Sequence, residues 1–332
     1  MRILYIGGTG EISYSCIQES ARAGQRVTIF NRGKSSEPLP DTVERITGDL
    51  TNDADYARLG EQTWDVVCQF KAYDLKVVQR DLATFAGKCG QYLFISSASA
   101  YQKPPAGKPN AHIITEATPL ENPYWPYSNA KKETEAQLMQ WHESGKLPVT
   151  IVRPSHTYRR NFPSTIMSGD ELAWRIEQGK SIIVHGDGTS LWVVTHSDDF
   201  AVPFVKLLGD KRALGQAFHI TSDDVWSWNQ IITAIGAALD HEPRMVHVPT
   251  ATLCRYNPNW TGPLWGDKSH CVAFDNSKVK QIAPQWRCQV SMPQGMKRVA
   301  ESYRQRAAAF VPKAPMQELM DRIAEEQTRL GA

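Results

Sequence analysis

Tyr127 and Lys131 stand four residues apart in Tyr127-Ser128-Asn129-Ala130-Lys131. On a helix that spacing puts both side chains on one face. A phenol ordinarily ionises at about pH 10, too high for a base at neutral pH. A nearby ammonium favours the phenolate and lowers that value. The tyrosine is then suited to take a proton from a substrate hydroxyl or to return one to a carbonyl. The lysine can also hold a ribose. A Y-x-x-x-K spacing is common by chance, but here it follows an apolar run that ends in Ser96-Ser97. Ser97 can hydrogen-bond the same substrate oxygen and orient it. The expected catalytic set is Ser97, Tyr127 and Lys131. The plainer alternative is an exposed helix start with a solvated lysine.

Gly7, Gly10 and Ser13 take the three marked places of a glycine-rich turn between an apolar run and a helical stretch. Glycine at 7 permits a sharp reversal. Glycine at 10 lets a pyrophosphate approach the backbone, where N–H groups and the helix dipole attract negative charge. The third place serves helix–strand packing, so serine there is a mild change. An acidic residue after the second strand would bond a ribose 2′-hydroxyl and favour NAD. The chain instead has Asn31, Arg32 and Lys34. No carboxylate repels a 2′-phosphate, and two cations can pair with it. The cofactor expectation is NAD(P), leaning to NADP; solvated surface charge is the alternative for Arg32 and Lys34. Asp49 is placed to accept a bond from an adenine amino group.

Behind these residues, apolar runs at 3–6, 26–30, 43–47, 64–70, 92–95 and 148–152 alternate with helical stretches at 12–23, 75–86 and 131–142. Such alternation predicts a parallel sheet covered on both faces, doubly wound through right-handed crossovers. Residues 100–126 are rich in Pro, Ala and Asn and are expected as a long loop over the site. Farther on, strands are expected at 181–184 and 217–221, helices at 197–208 and 228–239, and loops or short helices across 250–270. Met316, Leu319, Met320 and Ile323 lie at helical spacing. They predict a C-terminal helix, docked on the body or contacting a second copy.

The chain has 332 residues and a formal net charge of +2. The charge gives no basic excess of the kind that gathers nucleic acid or anionic lipid. The six cysteines include no C-x-x-C pair, and no Cys/His cluster has zinc spacing. Reduced, mostly packed thiols in a cytoplasmic protein are expected, with no metal. No signal-peptide pattern is present, and no run of about 18 apolar residues suits a membrane span.

Together, Gly7–Ser13, Asp49, Ser97 and the Tyr127/Lys131 pair resemble the NAD-dependent epimerase/dehydratase family of extended short-chain dehydrogenases/reductases. Arg153-Pro154-Ser155, the segment from His196 to Ala201, and the segment from Phe274 to Lys278 are similar to later segments of that family. The resemblance covers roughly residues 1–300 and implies an α/β fold, a Rossmann-type doubly wound parallel sheet with a smaller C-terminal substrate-binding lobe. Residues 1–157 would form the dinucleotide domain, with about 192–222 returning to it. Residues 158–191 and 223–312 would form the lobe, and 313–332 a C-terminal helix. It further implies that Thr9, Glu11, Ile12, Leu50, Phe70, Lys71, Ala72, Ser96, Pro154 and Ser155 join Gly7, Gly10, Asn31, Arg32, Lys34, Asp49, Tyr127 and Lys131 around the cofactor. Relatives often pair through a helix bundle that includes the tyrosine-bearing helix, so a homodimer is expected.

Two features narrow the implied chemistry. Family members that eliminate water or carboxylate from a sugar carry an acid within two positions after the catalytic Ser/Thr. Here Ala98 and Ser99 follow Ser97, so the pattern is closer to the 4-epimerases. Sugar-nucleotide enzymes carry a diphosphate-clamping arginine where this chain has Trp192, which can stack but cannot pair with a phosphate. Arg159, Arg160 or Arg255 could substitute, or the substrate lacks a diphosphate. Trp192 is otherwise core, and His156 is otherwise a satisfied lobe histidine. Tyr124 and Trp125 either line a sugar pocket or cap the loop. With Ser99 they complete the substrate set. The expected function is an NAD(P)-dependent epimerase or reductase acting on a hydroxyl or keto carbon of a sugar or sugar-nucleotide-like substrate. The competing expectation is a non-catalytic or RNA-binding protein, because the turn at 7–13 and Asn31-Arg32-Gly33 also resemble chloroplast stem-loop binding proteins. The near-zero net charge argues against that.

Overall fold

Short runs of Ile, Val, Tyr and Phe separated by amphipathic stretches set up a parallel sheet from the first residues. The computed structural model describes residues 1–103 and 112–331. Residues 104–111 of the expected 100–126 loop, and residue 332 of the expected last helix, lie outside the described residues. The first part runs β1 (Arg2–Ile6), α1 (Ser13–Arg22), β2 (Arg26–Asn31), β3 (Glu44–Thr47), α2 (Asp53–Ala57), β4 (Trp64–Gln69), α3 (Leu75–Phe85), β5 (Cys89–Ile95), β6 (Ile113–Ile114), α4 (Pro126–Glu143) and β7 (Val149–Pro154). The rest runs β8 (His156–Tyr158), α5 (Gly169–Glu177), β9 (Ser181–His185), β10 (Leu191–Trp192), β11 (Val194–His196), α6 (Ser197–Leu207), β12 (Gln216–Ile220), β13 (Trp226–Ser227), α7 (Trp228–Ala238), β14 (Arg244–Val248), α8 (Thr250–Tyr256), β15 (Ala273–Phe274), α9 (Ser277–Ile282), α10 (Met292–Ala307) and α11 (Ala314–Gly331).

Seven strands form one sheet in the order β12-β7-β5-β4-β1-β2-β3, with every neighbouring pair parallel. From β1 the chain order runs outward in both directions. The crevice at the carboxyl ends of β1 and β4 is therefore a switch point, where open α/β sheets bind ligands. The pleat alternates side chains between faces. Ile3 and Tyr5 join Ile17, Phe200 and Phe204 on one face, while Leu4 and Ile6 join Phe30, Tyr56, Phe94 and Leu138 on the other.

A third apolar cluster gathers Tyr158, Leu172, Ile182, Trp192, Trp228 and Met296. In a fourth, Met320 and Ile323 of α11 pack with Ile183, Val248 and Trp260. The C-terminal helix is thus docked on the body. Helix α4 begins at Pro126, five residues before the start read from sequence, because proline at the first helical position is pre-organised for the helix. Strand β5 begins three residues early, at Cys89. Buried Gln91 hides its start from an apolar pattern, its amide donating to Thr150 Oγ1 and the Leu207 carbonyl. All six cysteines are unpaired, and Cys271 is exposed. Among the described residues no helix is long and apolar enough to cross a membrane.

Candidate active site

Helix α4 buries a stripe of Ser128, Lys131, Thr134, Glu135, Leu138 and Trp141. Spacings of three and four are those of one helix face. Tyr127, in the first turn, stands one turn before Lys131 at the helix mouth. Lys131 Nζ donates to the carbonyls of Ala72 at 2.7 Å and Ile95 at 2.8 Å. It thereby ties the carboxyl ends of β4 and β5 to the helix. Burial pushes the lysine down to about 7, with Glu135 opposing.

The phenol departs from expectation. Lys131 Nζ lies 5.8 Å from the Tyr127 ring centroid. Burial is the largest influence on Tyr127 and raises it above the usual phenol range, while a hydrogen bond with Ser97 pulls the other way. The expectation of an ammonium that acidifies the phenol is therefore corrected for the protein's own groups. Desolvation of the phenol outweighs the Ser97 hydrogen bond.

Ser97 ends the loop after β5 and starts a 3-10 turn at Ala98–Ala100. Its hydroxyl accepts from Ser99 N and lies 2.9 Å from Ser99 Oγ. Ser128 Oγ reaches Ser99 Oγ at 2.8 Å, and the Asn122 amide holds the Ser99 and Gly266 carbonyls. A chain of hydroxyls thus fixes Ser97 from behind.

The glycine turn follows β1. Gly7 has φ +91, and a Cβ there would come within 2.5 Å of the Lys71 side chain. Ser13 Oγ donates to the Gly7 carbonyl at 2.8 Å and accepts from Gly10 N at 3.0 Å. The serine in the third place therefore closes the turn from inside. A cleft of about 280 Å³ beside the turn is lined by Gly7, Gly10, Glu11, Ile12, Phe70, Lys71, Ser96, Ser97, Tyr127, Lys131, Pro154 and Ser155. A second hollow, of about 480 Å³, is lined by Gly7, Thr9, Gly10, Asn31, Arg32, Lys34, Asp49, Leu50 and Lys71. Gly7, Gly10 and Lys71 belong to both, so the two form one path along the switch point. Ala72 is buried and contributes its carbonyl to Lys131. Buried Asn31 Nδ2 and Ser96 Oγ have no partner among the described residues. Two spare polar atoms and an open glycine turn fit an extended dinucleotide. Asp49 is held below its ordinary value by hydrogen bonds from Thr51 first, then by Arg32 and Lys34. Glu11 lines the cleft but its carboxylate turns outward, accepting the backbone N–H groups of Arg159 and Arg160 at 2.9 Å each.

Across Tyr127 lies a cavity of about 420 Å³, lined by Ser97, Ala98, Ser99, Lys103, Trp125, Tyr127, Pro154, Ser155, His156, Ser164, Trp192, Asp267 and Lys268. It brings together Ser99, Trp125, His156 and Trp192. It leaves out Tyr124, which is 44% exposed. The backbone is extended at Trp125, so consecutive side chains point opposite ways, and the tryptophan takes the inward place. Trp192 is 3% exposed and stacks on Trp228 at 6.0 Å, so it is both core and cavity wall. Of the substitute arginines, Arg159 and Arg160 both pair with Glu37, and Arg255 is exposed on α8. Lys103, Asp267 and Lys268 were not foreseen. They come from segments more than 160 residues apart in sequence, and no local spacing links them.

Comparisons with known proteins place the chain in a family. The model of the NAD dependent epimerase/dehydratase family matches residues 3–220. The chain is 25% identical over 252 residues to the 2′-dehydrokanamycin reductase of Streptomyces kanamyceticus, spanning 75% of this chain and 70% of that protein. It is 26% identical over 273 residues to the chloroplast stem-loop binding protein of 41 kDa b of Arabidopsis thaliana, spanning 77% of this chain and 66% of that one. In fold it is similar to a UDP-glucuronic acid 4-epimerase from Bacillus cereus solved with UDP-glucuronic acid and NAD. The TM-score is 0.73 at 20% identity, over 92% of this chain and 99% of that one.

Proposed function

The chain belongs to the NAD dependent epimerase/dehydratase family, and from that premise we propose an NAD(P)-dependent epimerase or reductase. It acts on a hydroxyl or keto carbon of a carbohydrate-derived small molecule. One observation carries the reading. Ser97, Tyr127, Pro154 and Ser155 line both the dinucleotide cleft and the substrate cavity, so the candidate acid/base sits where the two meet. Bound nicotinamide supplies the hydride acceptor or donor. Ser97 orients the substrate oxygen, and Tyr127 exchanges a proton with it. A phenol raised by burial holds its proton at neutral pH, which suits donation to a substrate carbonyl. Arg32 and Lys34, beside an Asn31 Nδ2 without a partner among the described residues, favour NADP. Ser164, Asp267 and Lys268, from residues 158–191 and 223–312, select the substrate together with Ser99, Trp125, His156 and Trp192. The active form is a cytoplasmic homodimer, checked by light scattering and cell fractionation.

The test is Tyr127→Phe. Turnover is expected to vanish while dinucleotide binding persists, and full activity in that variant overturns the reading. Mass spectrometry of co-purifying nucleotide separates the two chemistries. Retained NAD favours an epimerase that recycles its hydride in place, and freely exchanging NADPH favours a reductase.

The likeness to the Arabidopsis stem-loop binding protein favours a second reading, RNA binding on the same scaffold. Salt-steep RNA affinity without dinucleotide binding would support it.

A further inference from the structure

The substrate cavity has a wall in which two lysines share one carboxylate. Lys103 and Asp267 form a buried ion pair, and Lys103 Nζ also donates 3.1 Å to the Ala98 carbonyl. Lys268 Nζ lies 3.3 Å from the other Asp267 oxygen. It also lies 5.5 Å from the ring centroid of Trp125 and 5.6 Å from that of Trp192. Asp267 is the only acid among the described lining residues. Residues 104–111, which follow Lys103, contain no Asp or Glu. The nearby histidines add no charge of their own, since burial pushes His156 down to about 3 and His185 to about 4.

Burial lowers Lys103 while its ion pair with Asp267 opposes that, and with both lysines protonated on one carboxylate the wall carries one positive charge in excess. Lys268 is only 9% exposed, so water screens that excess poorly. Trp192 Nε1 and His156 Nδ1, on residues of the same cavity, are buried without a partner among the described residues. The cavity thus offers a cation, spare ring nitrogens and two indoles. Arg159 and Arg160, the cations that could have gripped a diphosphate, are spent on Glu37.

Resting on the oxidoreductase reading above, we propose that the substrate carries a single oxyanion, carboxylate or phosphate monoester, paired with Lys268, with Trp125 and Trp192 flanking the adjoining skeleton. The pocket selects such an anion over neutral sugars and over polycationic amino sugars, whose ammonium groups Lys268 and Lys103 repel.

Calorimetric titration of the full chain loaded with NADPH tests this with four probes: D-glucuronate, D-glucose 6-phosphate, D-glucose and D-glucosamine. At least one anion is expected to bind at least about tenfold more tightly than the neutral and amino sugars. The better anion identifies the group as carboxylate or phosphate. Lys268→Gln is expected to remove that preference, and Lys268→Arg to keep most of it. Equal affinity for glucose, no saturable binding of either anion, or an unchanged preference in Lys268→Gln overturns the proposal. NADPH fluorescence in the same samples keeps the two readings apart. NADPH bound without anion preference sinks only the subsite, whereas binding of neither NADPH nor NADH sinks the oxidoreductase reading.

Discussion

Arg153 grips Glu135 through Nε, at 3.0 and 3.1 Å from the two carboxylate oxygens, and through Nη2 at 2.6 Å. Glu135 lies one turn beyond Lys131 on α4, and Arg153 lies on β7. The pair therefore fastens the helix bearing Tyr127 to the strand that ends at Pro154. Both side chains are nearly inaccessible, so removing one partner strands a charge. Glu135→Gln is expected to cost about 3–5 kcal/mol in urea unfolding. The double change Glu135→Leu with Arg153→Met is expected to cost less, because no lone charge remains.

Lys131 adds a pH-dependent term. In the folded chain it is pushed to about 7, against 10.5 when unperturbed. Between those values the unfolded chain holds the extra proton, so stability rises with pH across that window. The cost of burying the charge is full below about pH 7 and gone above about 10.5. Relative to Lys131→Met, the parent is expected to gain a few kcal/mol from pH 7 to 10. A flat difference between the two curves would contradict the low value. The lost bonds to Ala72 and Ile95 shift the whole difference but not its slope.

The turn after β1 should be asymmetric. Gly7→Ala forces a side chain into positive φ and against Lys71, so a loss of about 1–3 kcal/mol and of dinucleotide affinity is expected. At Gly10 a Cβ meets only Ser13 Oγ, at 3.4 Å. Gly10→Ala should therefore fold nearly as well as the parent, and fail only in binding, where a pyrophosphate must approach. Thermal melts with and without NADPH would separate the two effects.

Glu11 and Glu37 latch residues 159–161 to the edge of the cofactor cleft. Glu37→Gln loosens two arginines at once. Stopped-flow release of NADPH is expected to quicken by about tenfold, the worth of roughly 1.4 kcal/mol. An unchanged release rate would mean that the latch does not gate the cleft.

Much of this was readable beforehand. The parallel sheet follows from apolar runs such as Ile3–Ile6, and the glycine turn and the Tyr127/Lys131 pair announce themselves by spacing. Helices α5 and α10 were missed, although Ser168/Glu171 and Ser291/Gln294 cap their starts as reciprocal boxes. Each buries one face, Leu172, Ala173 and Ile176 on α5 and Met292, Met296, Val299 and Tyr303 on α10, so both the apolar spacing and the cap chemistry marked them. The Lys103–Asp267–Lys268 wall had no local signature, because long-range folding alone makes neighbours of its parts. The phenol's environment was misjudged for a related reason: spacing gives proximity on a helix, but burial is a property of everything packed around it.

Strand β12 joins the sheet only through β7, yet more than sixty residues separate the two in sequence. While the chain emerges from the ribosome, β7 is an open edge of Val149, Ile151 and Val152 with nothing beside it, and such edges invite pairing with other chains. The nascent protein is thus most exposed to aggregation after β7 appears and before residue 220 is made. Chaperone engagement during synthesis should concentrate in that interval.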